Sequence, residues 1–114
     1  MQIEIRGRNT AVTESLRRHV EERFKRIAKQ VSELARLEVE LCVERNPAIA
    51  AGKVVDANLY LKGTTLRVRE HSNDLTHSVD LAADKLARQV KRHRDKRRRR
   101  REQIASKAAR ASTA

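Results

Sequence analysis

The chain has 114 residues and a formal net charge of +12, with 39% hydrophobic and 37% charged residues. This length suits one domain, and the apolar fraction excludes a fully disordered chain. Its two aromatic residues and three glycines argue against a nucleic-acid reader built on stacked rings and against a glycine-rich phosphate loop. The composition therefore favours a protein that binds polyanions over an enzyme, and we expect no cofactor and no small-molecule substrate.

The cellular setting follows from equally simple features. The single cysteine, Cys42, excludes an intrachain disulfide. No apolar run approaches the roughly 18 residues of a membrane span, and the N-terminus lacks the apolar block of a signal peptide. We therefore expect a cytoplasmic protein that does not bind membranes.

The first third of the chain predicts a strand followed by an amphipathic helix. Residues 2–7 alternate in polarity, which is typical of a half-buried strand. Thr13 is placed to cap the helix that follows. The apolar residues of this helix recur at steps of three and four: Leu16, Val20, Phe24, Ile27 and Val31.

The middle of the chain predicts three more strands. Residues 37–43 and 55–61 alternate in polarity, and a third alternating segment begins after a turn at Gly63. Residues 46–52 contain Pro and Gly and predict a connection. One side of these strands carries mixed charge, typical of the solvent face of a sheet, and we assign it no function.

A second amphipathic helix is predicted after Asp74, which is placed to cap it. Its apolar stripe comprises Leu75, Val79, Ala82, Leu86, Val90 and His93. The next stripe position is Arg97, and residues 97–101 are all arginine. The helix therefore cannot pack on a core beyond about Lys96, and we expect residues 97–114 to form an arginine-rich, disordered tail.

The order strand, helix, three strands, helix predicts an α+β fold in two layers. In this β-α-β-β-β-α arrangement, a four-stranded sheet carries both helices on one face. Residues 1–96 would form the domain. Almost all the excess positive charge lies in one segment, which runs from the end of this domain into the tail. Residues 85–101 contain eleven basic residues and one acid, whereas the rest of the chain has a net charge of only +2.

Residues 80–96, DLAADKLARQVKRHRDK, resemble the signature helix of the ribosome hibernation-promoting factors, which are related to ribosome-associated inhibitor A. Ile3, Ile5 and residues 7–9, followed by residues 12–17, are similar to that family's first strand and helix cap. The resemblance covers residues 1 to about 96. Family members commonly carry Met-Tyr after the aspartate that opens the second helix, whereas Leu75 and Thr76 stand here, so no stacking role is carried over.

The resemblance implies a bacterial factor of translation regulation. Members bind the decoding channel of the small ribosomal subunit in stationary phase or stress, exclude messenger and transfer RNA, and idle the ribosome. It also implies a short form without a separate C-terminal dimerisation domain, and we expect a monomer off the ribosome.

Basic residues of the two helices are the candidate contacts to ribosomal RNA. Guanidinium groups bind phosphate oxygens through two parallel hydrogen bonds and also stack on unpaired bases. We expect a steep dependence on salt and recognition of RNA shape over sequence. The candidates are Lys85, Arg88, Lys91, Arg92, Arg94 and Lys96 on the second helix and Arg18, Lys25 and Arg26 on the first.

Three alternatives compete with this interpretation. A basic helical face is often only a solvated surface. Three strands followed by a basic helix also occur in general double-stranded or structured RNA-binding proteins. A metal site or a catalytic site has little support, because His19, His71, His77 and His93 lack ligand spacing and no nucleophile is evident.

Overall fold

The computed structural model describes residues 1–46 and 51–113, with side chains as far as residue 106. Over these ranges the elements follow the predicted order: β1 (Gln2–Arg8), α1 (Glu14–Ala28), β2 (Arg36–Val43), β3 (Lys53–Leu61), β4 (Thr64–Ser72) and α2 (Leu75–Thr113). The α+β fold class is confirmed. Residues 47–50 of the predicted connection, and Ala114, lie outside the described residues.

The strands form one sheet in the order β1-β2-β3-β4. Strand β1 runs parallel to β2, with Ile3 opposite Leu37, because α1 carries the chain back to the same end of the sheet. The other two pairings are antiparallel. Strands β3 and β4 are joined by Lys62 and Gly63, and Gly63 has a φ of 80°, a conformation that favours glycine.

Helix α1 begins as the sequence predicts and ends earlier. The Oγ1 atom of Thr13 accepts a hydrogen bond of 3.2 Å from the backbone N–H of Leu16, so Thr13 is the N-cap. The helix ends at Ala28, and Val31 was wrongly placed on its stripe. Val31 instead lies half-buried in the connection to β2 and packs on the core, because the chain must leave the helix to reach the start of that strand.

Both helices cover the same face of the sheet, as predicted. The inner face of the sheet and one side of each helix form a single hydrophobic core. The hydrophobic side chains with no more than 1% exposure come from α1, β2, β3 and α2: Val20, Phe24, Ile27, Leu37, Val39, Leu41, Val55, Ala57, Leu59, Val79, Ala82, Ala83, Leu86 and Val90. This core fixes α2 rigidly as far as Val90.

The outer face of the sheet carries paired charges. Arg6 on β1 lies 4.0 Å from Glu40 on β2, and Arg69 on β4 lies 3.8 Å from Asp56 on β3. The arginine side chains of the two pairs are 71% and 65% exposed, so the pairs contribute little to stability. Their alternation of sign is that of an ordinary solvated sheet face.

Helix α2 is longer than the sequence predicts. The Oδ1 atom of Asp74 accepts a hydrogen bond of 3.3 Å from the backbone N–H of Thr76, which is the contact expected of a residue that caps the start of the helix. The helix then continues for 39 residues, or about 58 Å. Residues 97–113 were expected to form a disordered tail, but they are helical. Arginine, glutamate, alanine and lysine are strong helix formers, and this segment contains no Gly or Pro to end the helix.

The domain contacts of α2 nevertheless end where its apolar stripe ends. His93 and Asp95 are half-buried, and every described side chain from Lys96 to Ser106 is exposed. The helix thus projects beyond the sheet, and the molecule measures 68 Å along its longest axis but only 28 Å and 18 Å across.

Candidate nucleic-acid interface

Helices α1 and α2 lie side by side and are joined by ionic contacts. The Oδ1 atom of Asp80 on α2 lies 2.7 Å from Nε2 of His19 and 2.7 Å from Nε of Arg23, both on α1. One turn further along, Arg26 on α1 forms an ion pair with Asp84 on α2. These contacts bring basic residues of both helices onto one surface of the molecule.

One flank of α2 faces α1. Arg88, Lys91 and Arg94 line a groove of about 650 Å³ together with Arg26 of α1 and Gln30, which follows that helix. The three α2 side chains are exposed. We call this the α1-side groove. It holds four guanidinium or ammonium groups and two carboxylates, those of Asp84 and Asp95, and is therefore cationic.

The other flank of α2 faces β4. Arg92 and Lys96 line a second groove, of about 610 Å³, together with Arg99 and the β4 residues Thr64 and Leu66. We call this the β4-side groove. The predicted basic surface is therefore divided between two flanks of the helix.

Lys85 differs from the other candidates on α2. Its Nζ atom lies 3.4 Å from Oε1 of Glu70 on β4, and its side chain is 44% exposed. Glu70 stands opposite Val55, on the side of the sheet that carries the helices. This ion pair therefore joins α2 to β4. Lys85 presents less free charge to a partner than Arg88 or Arg92.

The candidates on α1 are spread along that helix. Arg26 belongs to the α1-side groove. Arg18 forms an ion pair of 3.3 Å with Glu14 one turn earlier and lines a separate depression near the start of α2. Lys25 is exposed on the same helix. The structure thus brings Arg26 together with the α2 cations and places Arg18 apart from them.

A third groove lies beneath α2 where the helix leaves the sheet. It measures about 710 Å³, and His93, Arg97 and Leu61 are among its walls. The Nε2 atom of His93 is buried and has no hydrogen-bond partner among the described residues. The sequence did not single out this groove. Its other cations come from separate parts of the chain: Arg36, Lys62 and Arg94.

Within the ranges that the structure describes, no group of three or more His, Cys, Asp or Glu residues could hold a metal ion. In the same ranges, no helix combines the length and the apolar character needed to cross a membrane. The chemistry that the grooves offer is the binding of anionic groups by exposed cations on rigid helices.

Residues 3–98 match the model of the family described as Sigma 54 modulation protein / S30EA ribosomal protein. The chain belongs to this family. The match covers all of the sheet except Gln2, together with α1 and the packed part of α2, and it confirms the resemblance that the second-helix segment indicated.

Similar proteins are named as ribosome hibernation factors. The chain is 35% identical over 97 residues to the ribosome hibernation promotion factor of Picosynechococcus sp., a match that covers 84% of this chain and 50% of that one. It is 33% identical over 96 residues to the ribosome hibernation promoting factor of Salmonella typhimurium, a match that covers 84% of this chain and 96% of the relative. The chain thus spans about half the length of the Picosynechococcus protein.

Solved structures share the fold. A ribosomal subunit interface protein from Coxiella burnetii superposes with a TM-score of 0.71 at 24% identity over 83% of this chain and 99% of that chain. The N-terminal domain of Protein Y from Thermus thermophilus superposes with a TM-score of 0.70 at 29% identity over 82% of this chain and 99% of that chain. Both matches support the two-layer β-α-β-β-β-α architecture.

Proposed function

We propose that this protein is a ribosome hibernation factor that binds the decoding channel of the small ribosomal subunit and inhibits translation in stationary phase or stress. Residues 1–96 form the ribosome-binding domain, and the protein acts in the cytoplasm as a monomer without enzymatic activity. The observation that carries the proposal is the exposed basic surface of α2. Its cations flank a helix that the core holds rigid, in a chain whose relatives are named hibernation factors.

The chemistry of this surface suits ribosomal RNA. Arg88, Lys91 and Arg94 are exposed beside Arg26 in one groove, and fixed guanidinium groups bind phosphate oxygens through paired hydrogen bonds. Binding does not require ordering of the backbone that carries these side chains, because the helix is already anchored by Val90 and Leu86. Each phosphate that is neutralised releases counterions, so binding should weaken steeply as salt rises.

The recognition that we propose depends on shape and ribosomal context. Direct reading of base edges needs a set of polar side chains that enter a groove, whereas the exposed surface of α2 is dominated by arginine and lysine. Contacts to phosphates position a protein without reading sequence. The outline of the decoding channel would then supply the specificity that base contacts do not.

Sedimentation tests the proposal. Purified protein is mixed with bacterial small subunits at physiological salt, and the expected result is stoichiometric co-sedimentation together with inhibition of cell-free translation. Prior occupation of the channel by messenger and transfer RNA should prevent binding. Absence of co-sedimentation would contradict the proposal.

A competition experiment separates this function from general binding to double-stranded or structured RNA. An excess of duplex RNA should leave a channel-binding factor on the subunit, because the duplex lacks the shape of the channel. Displacement by the same excess of duplex RNA would favour the general RNA-binding function instead.

A further inference from the structure

The segment of α2 beyond Lys96 has an unusual distribution of charge. Residues 97–101 are five consecutive arginines, and all of them are exposed. They continue the helix without interruption from the part that is packed on the sheet. We call residues 97–101 the arginine turn. Its direction is set by the packing of the preceding part of α2 on the core, so its guanidinium groups are carried on a helix that projects from the domain and not on a flexible chain.

The five guanidinium groups surround the helix. Consecutive residues of an α-helix are about 100° apart, so five of them leave no gap wider than about 100° around the axis. Arg98 and Arg100 point in nearly opposite directions, whereas Arg97 and Arg101 lie on the same side. A single flat partner can contact only two or three of these five side chains. In the packed part of α2, by contrast, the cations do not surround the helix, because they occupy two flanks and the third side is apolar.

The protein itself neutralises little of this charge. Within the described part of the chain, one carboxylate lies at ion-pair distance from the arginine turn, that of Glu102, at 3.8 Å from Nε of Arg98. Both side chains are at least 70% exposed, so that pair is weak. On the side facing the domain, Arg97 lines the third groove with Arg36, Lys62 and Arg94, so the nearest part of the domain adds further positive charge.

We infer that residues 97–101 are a second RNA-binding element, in which this turn of α2 lies between two segments of RNA backbone with phosphates on opposite sides. The inference rests on the proposed function and adds a contact beyond the flanks of residues 85–96. A helix with its side chains is about 10–12 Å across. The major groove of an RNA duplex is narrow and deep, so the two backbones belong to separate RNA segments between which the helix inserts.

The first test measures affinity and its salt dependence with the full chain and small ribosomal subunits. All five arginines are replaced by glutamine, which preserves helix propensity. In a plot of log affinity against log salt concentration, five phosphate contacts contribute a slope of magnitude about 3.5 if the RNA is single-stranded and about 4.5 if it is a duplex. The expected result is a slope shallower by about that amount and an affinity at least about 10-fold lower at physiological salt.

A variant of equal net charge controls for the loss of five charges. It carries glutamine at five exposed arginines on or beside the outer side of the sheet: Arg6, Arg8, Arg45, Arg67 and Arg69. This control should retain most of the wild-type slope. Equal slopes for the two variants would overturn the inference, because only net charge would then matter. Failure of the wild-type chain to bind would instead refute the proposed function itself.

The second test measures whether phosphates lie on both sides. Each of the five arginines is replaced singly by glutamine, and each substitution should weaken binding by about two- to fivefold, as for a single exposed ionic contact. Arg98→Gln and Arg100→Gln are decisive, since their side chains point in opposite directions. Losses confined to one side, such as Arg97→Gln and Arg101→Gln alone, would overturn the inference that the helix lies between two RNA segments.

Discussion

The carboxylate of Asp80 on α2 lies 2.7 Å from Nε2 of His19 on α1, across 61 residues of sequence. The same oxygen lies 2.7 Å from Nε of Arg23. The side chains of His19 and Asp80 are 28% and 26% exposed, so the contact is largely shielded from water. Asp80 therefore fixes the two helices at the spacing on which the α1-side groove depends.

Replacement of Asp80 by alanine should destabilise the domain. Removing a partly buried acceptor with two charged or polar partners costs about 1–2 kcal/mol of the free energy of unfolding. Asp84→Ala is the matched control, because Asp84 pairs with Arg26 one turn along but is 54% exposed. Asp84→Ala should lower the free energy of unfolding by less than about 1 kcal/mol. Urea denaturation measures both, and equal losses would contradict the central position that we assign to Asp80.

A charge placed on the core side of α2 should unfold the domain. Leu86 is completely buried in the centre of the helix–sheet core, where an unpaired carboxylate has neither water nor a cation. Leu86→Asp should therefore cost more than about 4 kcal/mol and abolish the folded circular-dichroism signal. Arg88→Asp, two residues further along on an exposed position, should change the free energy of unfolding by no more than about 0.5 kcal/mol. A folded Leu86→Asp variant would contradict the packing described for α2.

Much of the fold could be predicted because burial repeats along the chain with the period of each element. The alternation of Leu37, Val39 and Leu41 reports the inner face of β2 directly, and all three are buried. Val31 continued the helical spacing but lies in a connection. Spacing alone cannot distinguish a helix position from a core position reached by a turn.

The extent of α2 could not be predicted from its apolar stripe. The apolar stripe indicates only where the helix packs on the sheet, which is as far as His93. The helix itself continues beyond this residue because the residues that follow are strong helix formers. Packing and helicity are separate properties in this segment.

The exposure of the candidate cations on α2 could be predicted from the sequence, but their arrangement could not. Helical periodicity correctly placed Arg88 and Arg92 on exposed positions. The division into two grooves depends on α1 and β4, which flank the helix only in three dimensions. The role of Arg23 was missed for the same reason, since its partner Asp80 lies far away in sequence.

Lys85 should contribute less to binding than Arg88. Its ammonium group lies 3.4 Å from the carboxylate of Glu70, whereas Arg88 is exposed in the α1-side groove. We expect Lys85→Gln to weaken binding to small subunits by less than about twofold and Arg88→Gln by about three- to tenfold, as for one charge-assisted contact.

The partner of Lys85 provides a further check on this assignment. Glu70→Gln frees the ammonium group and should leave binding unchanged or slightly tighter. If Lys85→Gln weakened binding as much as Arg88→Gln, the ion pair to Glu70 would not limit the availability of Lys85.

Reversal of charge at Arg88 and Arg92 should abolish binding without affecting the fold. Both side chains are exposed and line different grooves, so the double variant Arg88→Glu, Arg92→Glu places repulsive charge on both flanks of α2. Affinity for small subunits should fall by at least about 100-fold, while the melting temperature should stay close to that of the wild type. Arg67→Glu, Arg69→Glu on the outer face of the sheet is the matched control and should bind normally. Normal binding by the α2 variant, or equal losses in both variants, would show that the flanks of α2 are not the RNA-binding surface.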